Sequence, residues 1–490
     1  MKKIKIRVFY LIFISIAIIF FLSFQIINQT SVFTGERAFS YVREFTSPEY
    51  EGRKASTEGN LKSLEFCNKI LESSGYEIIR QPFTALVPFI ESEPIFEILN
   101  KDGYVERSFK HRKDFKESLD GYSSDGEIIS KVIIDEQSIY NKKSKLFHNS
   151  IVVVNNEYNG TEAQDLIYIN AKVKAILIPT FSENIKWAST CTKYNKTETS
   201  NKKRKIIKLY ISRELLYLLR SHSELIQEDI YVSKNMKIHI KMPLKFKKVQ
   251  TENLIAILKN PNLESKNFNY LGFSAHIDHL GKDPDGSYFP GALDNASGVA
   301  FVLEMAKVLA NYKDILTVNP LIVIFNAEEN GLYGSYNFVH NPIIDLSKLQ
   351  IINFDMVAYA KPRSYNILLY QGINLNHPAK KLAENIKNFG SKNNLYFSIG
   401  NIIGESDHIP FNKKGYAAVS LNQFPVLFYH TYNDTADKVS ASGLDQLGKF
   451  MEKFILENYT VKKQSLYNIF IVLILFSLLF KLKSRNSNQN

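Results

Sequence analysis

Residues 271–298 read LGFSAHIDHLGKDPDGSYFPGALDNASG, and this stretch decides the fold class of the chain. The apolar run before His276 predicts a buried strand, and the small and apolar residues over 296–309 predict a helix. His276, Asp278 and Asp294 lie between these two elements. Open α/β folds build their ligand sites just beyond the carboxyl ends of strands. The stretch therefore predicts a ligand site at the end of a buried strand.

Alternation of strand and helix continues over residues 252–458. Short apolar runs alternate with longer segments of helical spacing, which favours a mostly parallel mixed sheet with helices on both faces. We therefore expect an α/β fold, a three-layer α/β/α sandwich. Strands are predicted at 254–258, 269–275, 321–326, 351–354, 366–370 and 417–421, and helices at 296–310, 334–340, 378–389, 408–414 and 441–457.

Acids and a histidine follow the other predicted strands. Because strand ends of this kind meet in one crevice, carboxylates and imidazoles are expected to converge there. So many carboxylates would repel one another unless a cation neutralised them. Imidazole together with carboxylate suits zinc, with cobalt or manganese as substitutes, and a bridging carboxylate would allow two ions. Glu328 and Glu329 follow the predicted strand 321–326, Asp355 follows 351–354, and His430 follows a short apolar stretch at 426–429.

Spacing suggests different tasks for the individual residues. Asp294 is the candidate bridge, because it lies in a predicted turn with small neighbours. Glu328 and Glu329 are adjacent and diverge in direction, so one can bind metal while the other stays free as a general base. Asp278 can accept the ring N–H of His276 and fix its tautomer. Taken singly, each residue also fits a polar pair, solvated surface or a helix cap; the ordered set favours the metal site.

The ordered motifs around these residues resemble those of a known family. They are AHIDHLG (275–281), PGALDNASG (290–298), FNAEENGLYGS (325–335), NFDMVAY (353–359), ESDHIPF (405–411) and FYHTYNDTADKV (428–439), with SPEYEGRKASTEGN (47–60) and QPF (81–83) near the start. Together they resemble the M28 family of zinc aminopeptidases over most of residues 41–83 and 252–458. The resemblance implies a zinc exopeptidase fold and the removal of N-terminal residues from peptide substrates.

The resemblance also implies a ligand set for two zinc ions. His276 and Asp355 would hold one ion, and Glu329 and His430 the other, with Asp294 bridging the two. No ligand of the family pattern is missing from the sequence.

Other family roles carry over in the same way. Glu328 would be the general base, and Asp278 would orient His276. A cis peptide bond is expected between Asp294 and Asn295. Residues 406–408 match a motif near the substrate pocket and are not expected to be ligands.

The region before residue 249 divides into two parts. Residues 29–117 are interpreted as the first part of the peptidase domain, with helices at 36–45 and 60–74, a short strand at 76–79 and hairpins around Asp102-Gly103. Residues 118–248 are interpreted as a small β-rich insert, and residues 249–460 as the main part of the peptidase domain. SIVVVNN, AKVKAILIPT and IKLYISRELLYLL in the insert resemble the protease-associated domain, which implies a role as a lid or substrate-access element. Strands in this insert are expected at 127–134, 150–154, 175–179, 206–211 and 238–240, and helices at 163–170 and 213–221.

Two apolar segments near the ends predict attachment to a membrane lipid bilayer. The segment 8–27 is long enough to span it, and we favour an uncleaved signal anchor over residues 1–28 rather than a cleaved signal peptide. The run 466–480, within a predicted span at 464–482, is short and could instead be a buried helix, but it is apolar on all faces. The basic flanks, including the tail 483–490, would lie in the cytoplasm and the body outside it, in a periplasm, lumen or cell exterior.

Charge elsewhere in the chain excludes one class of partner. The formal net charge is +12, but nine basic residues and no acid lie in the two flanks. The body then has 52 basic against 49 acidic residues, so no nucleic-acid partner is implied. Cys67 and Cys191 form no metal motif and are interpreted as packing or free thiols.

Three other functions were weighed against a membrane-anchored aminopeptidase. A glutamate-carboxypeptidase-like hydrolase would share the fold, and a glutaminyl-peptide cyclotransferase would share it with one zinc. A non-catalytic, receptor-like relative would have lost ligands, whereas the ligand set here is complete.

Overall fold

The computed structural model describes residues 32–136, 145–190, 205–227, 229–260, 263, 269–361, 363–400 and 406–460. The apolar segments predicted at 8–27 and 466–480, and Cys191, lie outside these ranges. Within them, no helix combines the length and the apolar character that crossing a membrane requires.

An eight-stranded mixed sheet forms the centre of the chain, with strand order β1-β13-β15-β14-β16-β19-β17-β18. β14 is parallel to both β15 and β16, and β16 is parallel to β19. β13 runs antiparallel to β1 and β15, whereas β17 is antiparallel to β19 and parallel to β18. The predicted mixed α/β architecture is thus confirmed. The strands are β1 (Glu77–Ile90), β13 (Leu244–Ile257), β14 (Tyr270–His276), β15 (Asn319–Phe325), β16 (Leu349–Phe354), β17 (Tyr365–Leu368), β18 (Phe397–Gly400) and β19 (Ala417–Asn422).

Helices cover both faces of this central sheet. Every residue of β15 is buried, as expected for a strand with apolar side chains on both faces. One face packs against α1, α2, α6, α8 and α10, and the other against α7 and α9. Cys67, on α2, is a free thiol buried in the first of these layers. The helices are α1 (Gly35–Phe45), α2 (Glu58–Ser73), α6 (Ser297–Tyr312), α7 (Tyr333–His340), α8 (Pro378–Lys392), α9 (His408–Lys413) and α10 (Ala441–Asn458).

β1 is much longer than the sequence predicts. The short strand expected at 76–79 continues as one strand to Ile90, in register with β13 throughout. Pro82 and Pro88 obscure this, because proline is a poor strand former in the middle of a sheet. β1 lies at the edge of the sheet, where a missing backbone N–H breaks no ladder.

The inserted region contains two further sheets. Their strand orders are β10-β11-β6-β7-β8-β9-β4 and β3-β2-β12-β5. The strands are β2 (Ile95–Asn100), β3 (Val105–Ser108), β4 (Phe115–Glu117), β5 (Gly126–Ser130), β6 (Val132–Asp135), β7 (Ile151–Val153), β8 (Ala175–Thr180), β9 (Ile207–Ser212), β10 (Ser223–Gln227), β11 (Ile230–Ser233) and β12 (Met236–Met242), and the helices are α3 (Glu162–Asn170), α4 (Ser182–Ile185) and α5 (Arg213–Ser221).

Two details of the insert differ from the sequence prediction. The run predicted as one strand at 127–134 divides at Lys131 into β5 and β6, which belong to different sheets. The hairpin around Asp102-Gly103 is present, but its strands β2 and β3 pair within the insert. The division of the chain at residue 118 stays a prediction, and this pairing favours an earlier start of the insert, near residue 91.

A buried group of polar side chains joins the insert to the central domain. Arg112 lies between two acids: its guanidinium donates to Asp283 at 2.8 and 3.1 Å and to Glu117 at 3.0 Å. His111 lies 2.9 Å from Glu117, and the Tyr432 hydroxyl donates to Asp283. We call these five residues the interdomain ion-pair network. Asp283 and Tyr432 belong to the loops that follow the predicted ligands His276 and His430.

Candidate metal centre

Parallel pairing brings the predicted ligands to one edge of the central sheet. His276 is the last residue of β14 and lies opposite Phe325, the last residue of β15. Glu328 and Glu329 therefore start beside His276, in the turn that follows β15. Asp355 directly follows β16, which pairs with β14 on its other side.

Five of the predicted residues form two groups that share Asp294. In the first, His276 Nε2 lies 3.4 Å from Asp294 Oδ1 and 3.5 Å from Asp355 Oδ1. In the second, His430 Nε2 lies 3.1 Å from Asp294 Oδ2 and 3.2 Å from Glu329 Oε2. The two oxygens of Asp294 thus face different groups, as a bridging carboxylate requires. We call these five residues the acidic centre.

Spacing within the acidic centre fits metal coordination better than hydrogen bonding. Among the described residues, neither Asp294 Oδ2 nor His430 Nε2 has a partner in hydrogen-bond geometry, although both are buried. Zinc–ligand distances of about 2.0–2.1 Å place two ligands of a tetrahedral ion about 3.3 Å apart. The four N···O separations lie between 3.1 and 3.5 Å. The donor set of imidazole and carboxylate also suits zinc.

Electrostatics of the acidic centre follow from its burial. Burial alone would lower the pKa of His430, but Glu329 and Asp294 raise it to about 9. Burial alone would raise the pKa of Glu329, but His430 and His279 hold it at about 2. Histidines also hold the pKa of Asp294 well below its usual range, although burial opposes this. The carboxylates of Asp294 and Glu329 are thus ionised and can accept a cation.

Glu328 differs from its neighbour Glu329 in position and in electrostatics. It is only partly buried, and its carboxylate lies within 4.8 Å of donor atoms of His276 and Asp355. Burial raises the pKa of Glu328 well above its usual range, and the carboxylates of Glu329, Asp407 and Asp355 raise it further. A carboxyl group with a raised pKa beside a metal site can accept and return a proton.

Two buried aspartates hold the backbone beneath the centre. The carboxylate of Asp278 accepts the N–H groups of Glu328 at 3.0 Å and Glu329 at 3.2 Å. The ring nitrogen Nδ1 of His276 lies 3.1 Å from the backbone oxygen of Asp278 and 3.9 Å from its carboxylate. The expected contact between ring and carboxylate is therefore corrected: the carbonyl orients the ring, because the carboxylate is occupied by the turn after β15.

Asp434 is the counterpart of Asp278 on the other side of the centre. Its carboxylate accepts the N–H groups of Leu293 at 2.8 Å and Asp294 at 3.0 Å. Burial raises the pKa of Asp434 to about 7. The expected cis peptide between Asp294 and Asn295 is present in the same turn.

Polar residues on neighbouring elements fix Asp355. Ser406 Oγ donates to Asp355 Oδ2 at 2.7 Å, and the Asn353 amide donates to Ser406 at 2.9 Å. Ser274, on β14, donates to Asn353 at 2.9 Å. Ser406 therefore fixes the position of a candidate ligand, Asp355.

Arg53 is a buried cation that binds carbonyl groups instead of acids. Its guanidinium donates to the backbone oxygens of Ile277 at 2.9 Å, Phe45 at 2.8 Å, Pro290 at 2.7 Å and Gly291 at 2.9 Å. Burial lowers the pKa of Arg53 to about 10, and nearby aspartates limit that shift. Arg53 thus connects α1 to the loop after β14 and to the segment that precedes Asp294.

Sequence reasoning missed two residues whose side chains lie directly against those of the candidate ligands. His279 is fully buried, and its Nδ1 lies 2.8 Å from Glu329 Oε1 and 3.9 Å from Asp294 Oδ2. With Asp294 and Glu329 it forms a second possible ligand group. Tyr429 stacks on the ring of His430 with 3.5 Å between centroids. The repeated histidine in HIDH was the one available signal for His279; Tyr429 gave none.

Comparison with known proteins agrees with this geometry. The sequence profile of peptidase family M28 matches residues 253–455, which contain the whole acidic centre. Aminopeptidase YwaD of Bacillus subtilis is 29% identical over 226 residues, covering 44% of this chain and 46% of that relative. The chain thus spans about half of that relative's length.

Solved structures extend the similarity over most of the chain. An aminopeptidase from Aneurinibacillus sp. strain AM-1 has a TM-score of 0.63 at 21% identity, covering 87% of this chain and 94% of its own. A zinc aminopeptidase from Bacillus subtilis has a TM-score of 0.62 at 19% identity, covering 89% of this chain and 97% of its own. At these identities the similarity establishes the fold. With the family match and the geometry of the strand ends, it leads to one conclusion: residues 253–455, which carry the acidic centre, match peptidase family M28.

Proposed function

We propose that this protein is a two-zinc aminopeptidase that removes N-terminal residues from peptides. The observation that carries the proposal is Asp294, whose two oxygens lie beside two different histidines, each of which also lies beside one further carboxylate. His276 and Asp355 would hold one zinc, and Glu329 and His430 the other. When bound, such a pair of ions polarises the scissile carbonyl and lowers the pKa of the attacking water.

Glu328 is the proposed general base. Its partly exposed carboxylate faces the same side of the centre as Asp355, with a pKa raised by burial and by neighbouring carboxylates. It would accept the proton of the attacking water and deliver it to the leaving amine. Asp278 supports both tasks, because it fixes the backbone of Glu328 and Glu329 at the same time.

Known proteins similar to this chain favour the amino end of a peptide. Aminopeptidase YwaD of Bacillus subtilis and the two solved structures described above are all named as aminopeptidases. This supports an aminopeptidase over a carboxypeptidase with the same fold.

We further propose that the segments 8–27 and 466–480 anchor the chain in a membrane, with the folded body on the extracytoplasmic side. Their length, apolar character and basic flanks support this. A protease-associated identity of the insert is likewise a proposal, supported by its motifs.

The test uses the purified full-length chain, in detergent and supplied with zinc. One peptide is offered free and N-acetylated, and the products are followed by mass spectrometry. Release of N-terminal residues from the free form alone is the expected result. Trimming from the C-terminus of both forms would identify a carboxypeptidase instead. Loss of ammonia from an N-terminal glutamine without cleavage would identify a cyclotransferase.

A further inference from the structure

The insert reaches the acidic centre through the segment that follows α4. The backbone N–H of Ala188 donates to the backbone oxygen of His430 at 2.9 Å. Ala188 is buried in an apolar cluster with Leu280 and Phe289, against which Tyr432 packs. This part of the insert therefore touches the loop of a candidate ligand directly.

Trp187 lies next to this contact. Its ring is perpendicular to that of Tyr429, with 6.1 Å between the centroids, a favourable edge-to-face arrangement. Tyr429 in turn contacts the rings of His430 and Phe424, at 3.5 and 5.2 Å. Trp187, Tyr429 and Phe424 are only partly buried, and the nearby Leu427 is 92% exposed. An apolar, largely aromatic surface thus borders the acidic centre and faces solvent.

The segment that carries Trp187 is firmly held. Ser189 donates to Glu117 twice, from its N–H to the carboxylate at 3.2 Å and from its hydroxyl to the backbone oxygen at 2.7 Å. Arg112 connects Glu117 to Asp283 in the central domain. A side chain discriminates between substrates only if its supports fix its position, and these contacts supply that support.

We propose that Trp187 is a specificity-determining residue that the insert contributes to the substrate site. With Tyr429 it forms a wall against which the side chain of the N-terminal residue of the peptide packs. The enzyme accordingly acts best on peptides that begin with a bulky apolar residue, because such a side chain covers apolar surface that water otherwise contacts. This inference rests on the proposed aminopeptidase function.

Kinetics of the Trp187→Ala variant test the wall. We expect the ratio of kcat/KM for leucyl amides to kcat/KM for alanyl amides to fall roughly tenfold, as for other apolar pockets. The kcat/KM value for alanyl amides themselves should change by about twofold or less. Trp187→Phe keeps most of the preference. Phe181→Ala is the matched control, because Phe181 is an exposed aromatic of the same segment whose ring stacks on Arg213. An unchanged preference in Trp187→Ala, or an equal loss in Phe181→Ala, would overturn the proposal.

Fluorescence provides a second measurement that needs no turnover. Trp187 is the sole tryptophan of the sequence, so the intrinsic emission of the zinc-loaded chain reports on this one position. Titration with L-leucine should shift the emission, and glycine should leave it unchanged. A shift with leucine in a protein that hydrolyses no peptide would support the wall and refute the proposed function. Peptide hydrolysis without any shift at saturating leucine would refute the wall alone.

Discussion

The acidic centre and the interdomain ion-pair network both bury carboxylates, but they neutralise them in different ways. In the network, Glu117 and Asp283 share Arg112, and the three side chains are 3%, 7% and 8% exposed. Burial alone would raise the pKa of Glu117, but Arg112 and His111 hold it well below its usual range. The chain itself supplies the cation here.

In the acidic centre, no arginine or lysine of the described residues pairs with the carboxylates. Within the described ranges, Asp294, Glu329 and Asp355 form ion pairs only with histidines. Arg53 is close by, but its donors are bound to backbone carbonyls. The network is therefore a complete structural ion pair, whereas the acidic centre has the donor set of a metal site.

The largest effect is expected from Asp294→Ala, which removes the shared ligand of the centre. Both zinc ions should be lost, and turnover should fall by roughly a thousandfold or more, since metal catalysis supplies several kcal/mol. Zinc content is measured by atomic absorption. Asp283→Asn is the matched acid of the network and should keep its zinc. Two bound zinc ions in Asp294→Ala would contradict the proposed bridging role of Asp294.

A smaller effect is expected from Glu328→Gln. Turnover should fall about 10²–10⁴-fold, the usual contribution of a general base, while zinc is retained. Glu329→Gln, one residue further, should lose zinc together with turnover. If both glutamine variants lose zinc, Glu328 is a ligand and its proposed role as base is wrong.

Arg112→Met tests the other side of the comparison. Removing the shared guanidinium leaves Glu117 with His111 and Ser189, and Asp283 with Tyr432, as partners. The loss of the buried ion pairs should cost about 3–5 kcal/mol of stability, with zinc retained. Arg80 is a matched control, because it also pairs with two acids, Glu65 and Glu252, but is 41% exposed. Arg80→Met should cost less than about 1 kcal/mol.

The loss of stability in Arg112→Met should depend on pH, with a definite sign. In the wild type, Arg112 holds the pKa of Glu117 and Asp283 below the usual range, so their stabilisation is present at neutral pH and is lost as pH falls. In Arg112→Met the carboxyl groups of Glu117 and Asp283 are buried without the guanidinium, which favours their protonated forms. The difference in melting temperature between the two proteins should therefore shrink between pH 7.5 and about pH 4. A constant difference would show that Arg112 acts by packing alone.

Sequence reasoning reached most of the acidic centre because Glu329 and Asp355 follow buried strands, His276 ends one and Asp294 precedes a helix, whereas His430 lies in a turn well after β19. The apolar run of β15 marks where Glu328 and Glu329 begin, and the same holds for Asp355 after β16. Asp434 and Arg53 were missed, because each acts on the backbone of a loop distant in sequence. Hydrogen bonds of that kind depend on how loops approach one another, which no local pattern reports.

The insert was predicted less well for a related reason. β5 and β6 are separated only by Lys131, so the local pattern of alternating apolar residues reads as one strand. The sheet to which each half belongs is decided by distant partners, β12 for β5 and β7 with β11 for β6. The contact between Trp187 and Tyr429 is likewise long-range and was not predictable.

The pairing of β1 with β13 has a consequence for biosynthesis. Its register runs from Glu77–Ile257 to Ile90–Leu244, so the chain leaves and re-enters the central domain at adjacent points. The insert can therefore fold on the ribosome as a closed unit, whereas α1, α2 and β1 must wait for β13. At about 5–20 residues per second, that delay is on the order of 10–30 s. Throughout it, the apolar faces of α1 and α2 have no sheet to cover them, so these two helices are the part of the central domain most vulnerable to aggregation.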